Sequence, residues 1–153
     1  MRIGVTGASG MVGINVCKEI LSNGDELNIL IREDVSYLDG LSCNKFYGDL
    51  SDIDTLEKFC DKCDVIIHSA AMKQVPATEY NPFEVIKTNI LGAQNVIDAS
   101  LENKVSKVIA LSTDKASSPT NLYGATKLTS DKLFTSANNY KGWKDINFSV
   151  VRY

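Results

Sequence analysis

Residues 3–13 read Ile-Gly-Val-Thr-Gly-Ala-Ser-Gly-Met-Val-Gly, a short apolar run that passes directly into a glycine-rich turn. The glycines Gly7, Gly10 and Gly13 are spaced G-x-x-G-x-x-G. At this spacing Gly7 permits a tight turn, Gly10 lets the backbone approach a pyrophosphate, and Gly13 allows the next helix to pack against the strand. The helix N-terminus presents free N–H groups and a partial positive charge to the phosphates. The stretch therefore predicts a dinucleotide-binding turn.

Apolar clusters alternate with amphipathic stretches along the rest of the chain. We predict strands at 3–6, 26–31, 45–47, 64–68, 107–111 and 146–152, and helices at 11–22, 52–60, 83–101 and 122–137. Continuous apolar strands between helices indicate a parallel sheet covered on both faces. The predicted fold is α/β, a Rossmann-like doubly wound parallel sheet, with residues 1–153 as one NAD(P)-binding domain. Because the sequence stops inside the last predicted strand, we expect a fragment of a longer protein.

Composition limits the possible partners. The chain has 153 residues with a formal net charge of -3, and this size is typical of one domain. Without a basic surplus, nucleic-acid binding is not expected. No apolar run approaches the ~20 residues of a membrane span, and the N-terminus lacks a secretory apolar region. We therefore expect a cytoplasmic protein with no membrane partner.

Two of the four cysteines, Cys60 and Cys63, form a C-x-x-C pair. In a cytosolic protein such a pair is either space-filling thiols, a redox pair or half of a metal site. A zinc site needs further ligands and the chain contains one histidine. We predict reduced, space-filling thiols and no metal.

The residues after the second and third strands bear on the choice of cofactor. Arg32 directly follows the second strand, where it suits the 2′-phosphate of NADP. Glu33 and Asp34 follow directly, so NAD remains possible. Asp49 follows the third strand, where its carboxylate would either accept from the adenine amino group or act in a turn or helix cap.

Polar residues follow the fifth predicted strand at the edge where ligands bind in open α/β sheets. They are Ser112, Thr113, Asp114 and Lys115, and Tyr123-x-x-x-Lys127 comes shortly afterwards. The Y-x-x-x-K spacing puts tyrosine and lysine one helical turn apart on the same face. A neighbouring ammonium lowers a phenol pKa that starts near ~10, so the tyrosine is expected to take a proton from a sugar hydroxyl.

The chain resembles the extended short-chain dehydrogenase/reductase superfamily, in its polysaccharide-biosynthesis branch of nucleotide-sugar 4,6-dehydratases. The stretches that carry this resemblance are His68-Ser-Ala-Ala-Met-Lys-Gln-Val-Pro76, Glu79-Tyr-Asn-Pro82, Ile86-Lys-Thr-Asn-Ile90, Leu111-Ser-Thr-Asp-Lys-Ala116 and Asn121-Leu-Tyr-Gly-Ala-Thr-Lys-Leu128. They cover most of the chain from the fourth strand onward. The first half of the chain resembles the superfamily in general and does not distinguish this branch within it.

The resemblance implies an NADP-dependent inverting dehydratase of UDP-N-acetylglucosamine in surface polysaccharide or glycan biosynthesis. Tyr123, assisted by Lys127, would oxidise carbon 4 of the sugar. Retaining dehydratases carry Thr-Asp-Glu where this chain has Thr113-Asp114-Lys115. Lys115 would be the base at carbon 5, and Asp114 the acid at the departing hydroxyl. A lysine base must be neutral, so we expect burial or a neighbouring cation to lower its pKa.

The resemblance also assigns contacts. Substrate contacts would come from Lys73 and Thr113. His68 is expected to be a hydrogen-bonded core residue, and Asn89 a structural asparagine beside the site. The residues expected to bind the cofactor are Gly7, Ser9, Gly10, Met11, Val12, Gly13, Arg32, Asp49, Leu50, Ser69, Ala70, Lys73, Leu111, Ser112, Tyr123 and Lys127.

Other functions remain open from sequence. Within the same superfamily the alternative is a UDP-sugar 4-epimerase. Because the substrate is held largely by later segments in this family, a non-catalytic NADP-binding fragment is a second alternative. A homo-oligomer of the full-length protein is expected, since relatives associate through helices corresponding to 83–101 and 122–137.

Overall fold

A computed structural model of the chain describes residues 1–153. Its centre is a six-stranded sheet in the order β3-β2-β1-β4-β5-β6, and every neighbouring pair is parallel. The strands are β1 (Arg2–Thr6), β2 (Glu26–Ile31), β3 (Asn44–Tyr47), β4 (Val65–His68), β5 (Lys107–Leu111) and β6 (Asn147–Val151). Chain order reverses between β1 and β4, so their carboxyl ends open the crevice where ligands bind in such sheets. This arrangement confirms the predicted doubly wound parallel sheet.

Six α-helices cover the sheet. They are α1 (Met11–Ser22), α2 (Ile53–Cys60), α3 (Val75–Tyr80), α4 (Pro82–Ile86), α5 (Gly92–Glu102) and α6 (Leu122–Tyr140). A π-helical turn, Lys87–Leu91, joins α4 to α5, and short 3-10 turns occupy Ser36–Leu38 and Asp114–Ala116. None of these helices combines the length and apolar character that a membrane crossing requires.

Two hydrophobic clusters lie on opposite faces of the sheet. The larger cluster contains Phe59, Val96 and Phe134, which come from α2, α5 and α6. The smaller cluster packs Cys17 and Ile20 of α1 against the other face. Burial on both faces explains why the central strands are almost continuously apolar.

The structure differs from the predicted elements mainly in its helices. The helix predicted at 83–101 is three consecutive segments, because a π-helical turn separates α4 from α5. Helix α3 was not predicted, and α6 extends three residues beyond the predicted end at Ala137. The last strand ends at Val151, whereas its prediction ran to Arg152.

Candidate active site

The glycine-rich turn has the geometry that its spacing predicts. Gly7 has a φ of +72°, in the left-handed region that favours glycine. A Cβ at Gly13 would stand 2.1 Å from the carbonyl oxygen of Gly7, so only glycine fits where α1 crosses the turn. Helix α1 begins after Gly10 without a side-chain cap. Its first N–H groups are therefore available to a phosphate.

A cavity of about 220 Å³ lies at the crevice between β1 and β4. Gly7 and Gly10 form one wall, and Lys73 reaches the turn from the loop after β4, with Nζ 3.9 Å from where a Cβ of Gly10 would stand. The predicted cofactor residues that line this cavity are Gly7, Ser9, Gly10, Arg32, Asp49, Leu50, Ser69, Ala70 and Lys73. The predicted residues outside its lining are Met11, Val12, Gly13, Leu111, Ser112, Tyr123 and Lys127.

Asp49 forms a turn at the rim of this cavity. Its Oδ1 accepts hydrogen bonds from the backbone N–H and the hydroxyl of Ser51, both at 3.0 Å. The cap of α2 is Asp52, whose carboxylate accepts from the backbone N–H of Thr55. The turn function of Asp49 is confirmed, and its contact with adenine stays a prediction.

His68 is a core residue at the end of β4. Its Nδ1 lies 2.8 Å from Oγ1 of Thr6, and burial lowers the pKa of the imidazole to about 3. The next residue, Ser69, donates its hydroxyl to the carbonyl oxygen of Thr6 at 2.7 Å. The prediction of a hydrogen-bonded core histidine is confirmed.

Asn89 fastens the loop after β4 to α6. Its Oδ1 accepts from the backbone N–H of Met72 at 2.9 Å. Its Nδ2 donates to the carbonyl oxygen of Met72 and to Oγ1 of Thr126, both at 3.1 Å. Asn89 is 2 % exposed and lies in the π-helical turn. The asparagine is structural, as predicted.

Tyr123 and Lys127 lie one turn apart near the start of α6, beside the end of β5. Lys127 is 4 % exposed, and its Nζ donates to the carbonyl oxygen of Leu111 at 2.8 Å. Burial lowers the pKa of Lys127 to about 8. Burial also raises the pKa of Tyr123, against a smaller opposing effect of Thr113. The expectation of a lowered phenol pKa is therefore wrong for this chain, because desolvation of the ring, aided by Asp114 and Asp131, outweighs the lowering effect of Thr113.

Thr113, Asp114 and Lys115 form a compact turn after β5. The hydroxyl of Thr113 donates to Oδ1 of Asp114 at 3.0 Å and accepts from the backbone N–H of Lys115 at 3.3 Å. Nζ of Lys115 lies 3.5 Å from the same Oδ1, and both side chains are largely exposed. Thr113 and the lysine hold the pKa of Asp114 below its ordinary value. Lys115 is therefore neither buried nor paired with a cation here, contrary to expectation.

Two contacts beside this turn were not predicted. The carboxylate of Asp131 on α6 accepts from the hydroxyl of Ser112 at 2.7 Å, and Glu79 of α3 accepts from the backbone N–H of Leu122 at 2.9 Å. The sequence contained one signal for Asp131, because an acidic residue four positions after Lys127 lies on the same helix face.

The C-x-x-C pair is buried in the larger hydrophobic cluster. Cys60 and Cys63 are free thiols, and burial raises their pKa values to about 12 and about 11. Thiols with such pKa values are poor nucleophiles near neutral pH. The prediction of space-filling thiols is confirmed, and no group of three or more metal-binding side chains forms in the chain.

The strand order, the glycine turn and the Tyr123–Lys127 pair define a Rossmann-like domain of the short-chain dehydrogenase/reductase type. Residues 3–153 match the family described as "Polysaccharide biosynthesis protein", and the chain belongs to that family.

Two relatives illustrate the range of activities among similar proteins. A UDP-N-acetylglucosamine 4,6-dehydratase (inverting) of Campylobacter jejuni is 50% identical over 97% of this chain and 47% of its own length. A UDP-glucose 4-epimerase of Rickettsia conorii is 36% identical over the same shares. The chain therefore spans about half the length of these curated relatives.

Solved structures agree with the fold. The X-ray structure of Pen from Bacillus thuringiensis superposes with a TM-score of 0.94 at 35% identity, over 99% of this chain and 50% of that chain. A dTDP-glucose 4,6-dehydratase from Streptomyces venezuelae, solved with NAD and TYD bound, gives a TM-score of 0.90 at 23% identity, over 99% of this chain and 55% of that chain. At 23% identity, the similarity to the Streptomyces venezuelae structure supports a shared fold and nothing more.

Proposed function

We propose that the protein containing this chain is an NADP-dependent, inverting 4,6-dehydratase of UDP-N-acetylglucosamine in surface polysaccharide or glycan biosynthesis. The observation that carries the proposal is the Asp114–Lys115 pair, placed after β5 beside Tyr123 and Lys127. An epimerase needs the Tyr–Lys pair alone, whereas the loss of water also needs a base and an acid. The 50% identity to an inverting dehydratase supports this choice.

The residues that line the cavity beside the glycine turn suit the pyrophosphate and adenosine half of a dinucleotide. Free N–H groups at the start of α1 and the Nζ of Lys73 would hold the pyrophosphate, and Asp49 and Leu50 would contact the adenine. Arg32 lies at the end of β2 in the cavity wall, where its guanidinium would bind a 2′-phosphate. We therefore favour NADP over NAD.

Tyr123 would remove the proton from the carbon 4 hydroxyl of the sugar. The dinucleotide that these residues would hold would supply the redox chemistry, as a hydride acceptor for carbon 4 and a hydride donor for carbon 6. The cation of Lys127 would stabilise the phenolate form of Tyr123, which accepts this proton. Since burial raises the pKa of Tyr123, this assistance is needed for proton transfer near neutral pH.

Lys115 would remove the carbon 5 proton, and Asp114 would protonate the carbon 6 hydroxyl as it departs. A proton moved across the 3.5 Å between them gives a neutral amine and a neutral carboxylic acid. The amine takes the carbon 5 proton, and the acid protonates the departing hydroxyl to give water. The pair returns to ammonium and carboxylate. Carbon 5 then takes up one proton from solvent as hydride arrives at carbon 6, and the proton that Tyr123 took from the carbon 4 hydroxyl is released to solvent, so the protons balance. Burial under a bound sugar favours the neutral pair, because desolvation penalises charged groups.

Incubation of the intact protein with UDP-N-acetylglucosamine and NADP tests this function. We expect a 4-keto-6-deoxy sugar of the L-arabino configuration, identified by proton NMR. Unchanged sugar, or a 4-epimer that keeps its carbon 6 hydroxyl, would contradict the proposal.

The two other candidate functions give different outcomes in the same assay. A UDP-sugar 4-epimerase, favoured by the 36% identical relative, would leave the carbon 5 proton unexchanged with solvent. A non-catalytic NADP-binding module would bind cofactor with no change in the sugar.

A further inference from the structure

A buried carboxylate joins three elements behind the candidate active site. Asp131 of α6 is 6 % exposed, and its Oδ2 accepts hydrogen bonds from Oγ of Ser112 at 2.7 Å and from Nη2 of Arg152 at 2.8 Å. Ser112 follows β5 and Arg152 follows β6. One oxygen therefore ties the ends of two strands to the helix that carries Tyr123 and Lys127.

Asp131 is also the charged neighbour of Lys127 on α6. Residues four apart on a helix face each other, so the carboxylate lies along the same face as the ammonium. Burial of Lys127 disfavours its charged form, and Asp131 opposes that effect. The other titratable groups that face Lys127 or Asp131 are Lys73, His68, Tyr123 and Arg152.

Of these groups, Lys73 disfavours the cation of Lys127, and His68 is neutral because it is fully buried. Arg152 neutralises part of the charge on Asp131. Asp131 is thus the acidic group that favours the lysine cation at this site. Its removal would leave the ammonium buried with another cation near it.

We propose that Asp131 is a positioning residue, whose negative charge stabilises the ammonium of Lys127 and whose hydrogen bond holds Ser112 at the start of the Thr113–Lys115 turn. Asp131 acts through these residues and contacts neither substrate nor cofactor. The consequence for catalysis rests on the proposed function, whereas the effect on Lys127 does not.

The first test measures the titration of Lys127 directly. NMR of the intact protein with isotope-labelled lysine side chains follows the Lys127 amine without substrate. In Asp131→Asn the amide still accepts from Ser112 but carries no charge, so we expect the pKa of Lys127 to fall by about one unit or more. Asp131→Glu should restore most of the shift. Asp98→Asn, at an exposed position of α5, is the matched control and should change nothing.

An unchanged Lys127 titration in folded Asp131→Asn would overturn the proposal. Asp131 would then have only a structural role, through its hydrogen bonds to Ser112 and Arg152. If Asp131→Asn does not fold, Arg152→Ala supplies the second measurement. Loss of the guanidinium leaves the negative charge of Asp131 without a compensating cation, so the pKa of Lys127 should rise. A titration of Lys127 that does not move in Arg152→Ala would equally overturn the proposal.

The second test is the pH profile of kcat with UDP-N-acetylglucosamine. We expect the alkaline limb of Asp131→Asn to move to lower pH by the same amount as the Lys127 titration, with rescue in Asp131→Glu. A lower kcat at every pH with the limb unmoved would contradict the proposal. If the wild-type protein does not turn over the sugar, the proposed function fails, while the NMR titration still decides the role of Asp131.

Discussion

The buried imidazole of His68 makes the fold sensitive to acid. His68 is 1% exposed at the end of β4, its ring lies 5.4 Å from that of Phe134, and its Nδ1 is paired with Thr6. Burial is the main reason that the pKa of His68 is lowered to about 3, and the nearby cation of Lys127 adds to it. In the unfolded chain the imidazole titrates at its ordinary value of ~6.5.

The size of the effect follows from this difference in pKa. Between about pH 6.5 and about pH 3 the unfolded chain binds a proton that the folded chain does not, so stability falls as pH falls. Each pKa unit corresponds to about 1.4 kcal/mol. Acidification from about pH 6.5 to about pH 4 should therefore cost about 3 kcal/mol through His68 alone.

Urea unfolding followed by far-ultraviolet circular dichroism measures this cost in the wild type and in His68→Asn. The asparagine does not titrate, and its side chain can still pair with Thr6. Carboxylates titrate alike in both proteins, so the difference between them isolates His68. We expect the variant to be less stable near pH 7, because its smaller side chain leaves space beside Phe134, but to lose about 3 kcal/mol less on acidification. Parallel losses in the two proteins would refute the reasoning.

Two further perturbations test the glycine turn and the thiols. Gly13→Ala forces a Cβ to within 2.1 Å of the Gly7 oxygen, so we expect a loss of about 1–3 kcal/mol in unfolding free energy and at least ~10-fold weaker NADP binding. Gly40→Ala, where a Cβ meets nothing within 4 Å, is the matched control, and equal effects at the two positions would show that the close packing of the turn is not the cause. Iodoacetamide should label half-buried Cys43 well before Cys60 and Cys63, whose thiols are buried with raised pKa values. Mass spectrometry of the labelled peptides measures the order, and equal rates for the three thiols in the folded chain would count against it.

The sheet and the glycine turn could be predicted because their signals are local. A strand buried on both faces must be nearly continuously apolar, as Leu27–Ile31 is apart from Asn28. Gly7 is required because its φ of +72° favours glycine. Gly13 is required because a Cβ there would collide with the carbonyl oxygen of Gly7 in the same turn. The Tyr123-x-x-x-Lys127 spacing likewise acts within one helix.

The features that escaped prediction depend on contacts made only after folding. The π-helical turn was missed because Ile86, Ile90 and Ala93 also fit an α-helical period. The turn contains Asn89, whose hydrogen bonds to Met72 and Thr126 link residues far apart in the sequence. Helix α3 has six residues, too few to show a period.

The electrostatic environment of the site could not be predicted from the sequence either. The raised pKa of Tyr123 reflects how deeply α6 packs against the sheet, which the Y-x-x-x-K spacing does not encode. The spacing from Lys127 places Asp131 on the same helix face, but its contacts with Ser112 and Arg152 form only in the fold.

Incorporation of solvent deuterium at carbon 5 of the sugar tests the central claim most directly. The intact protein is incubated with UDP-N-acetylglucosamine and NADP in D₂O, beside Lys115→Ala and the control Lys132→Ala at an exposed position of α6. We expect deuterium at carbon 5 with the wild type and the control, and a rate about 10²–10⁴-fold lower with Lys115→Ala at unchanged NADP affinity. Near-normal exchange in Lys115→Ala, or none in the wild type, would contradict the assignment of Lys115 as the base of a dehydratase.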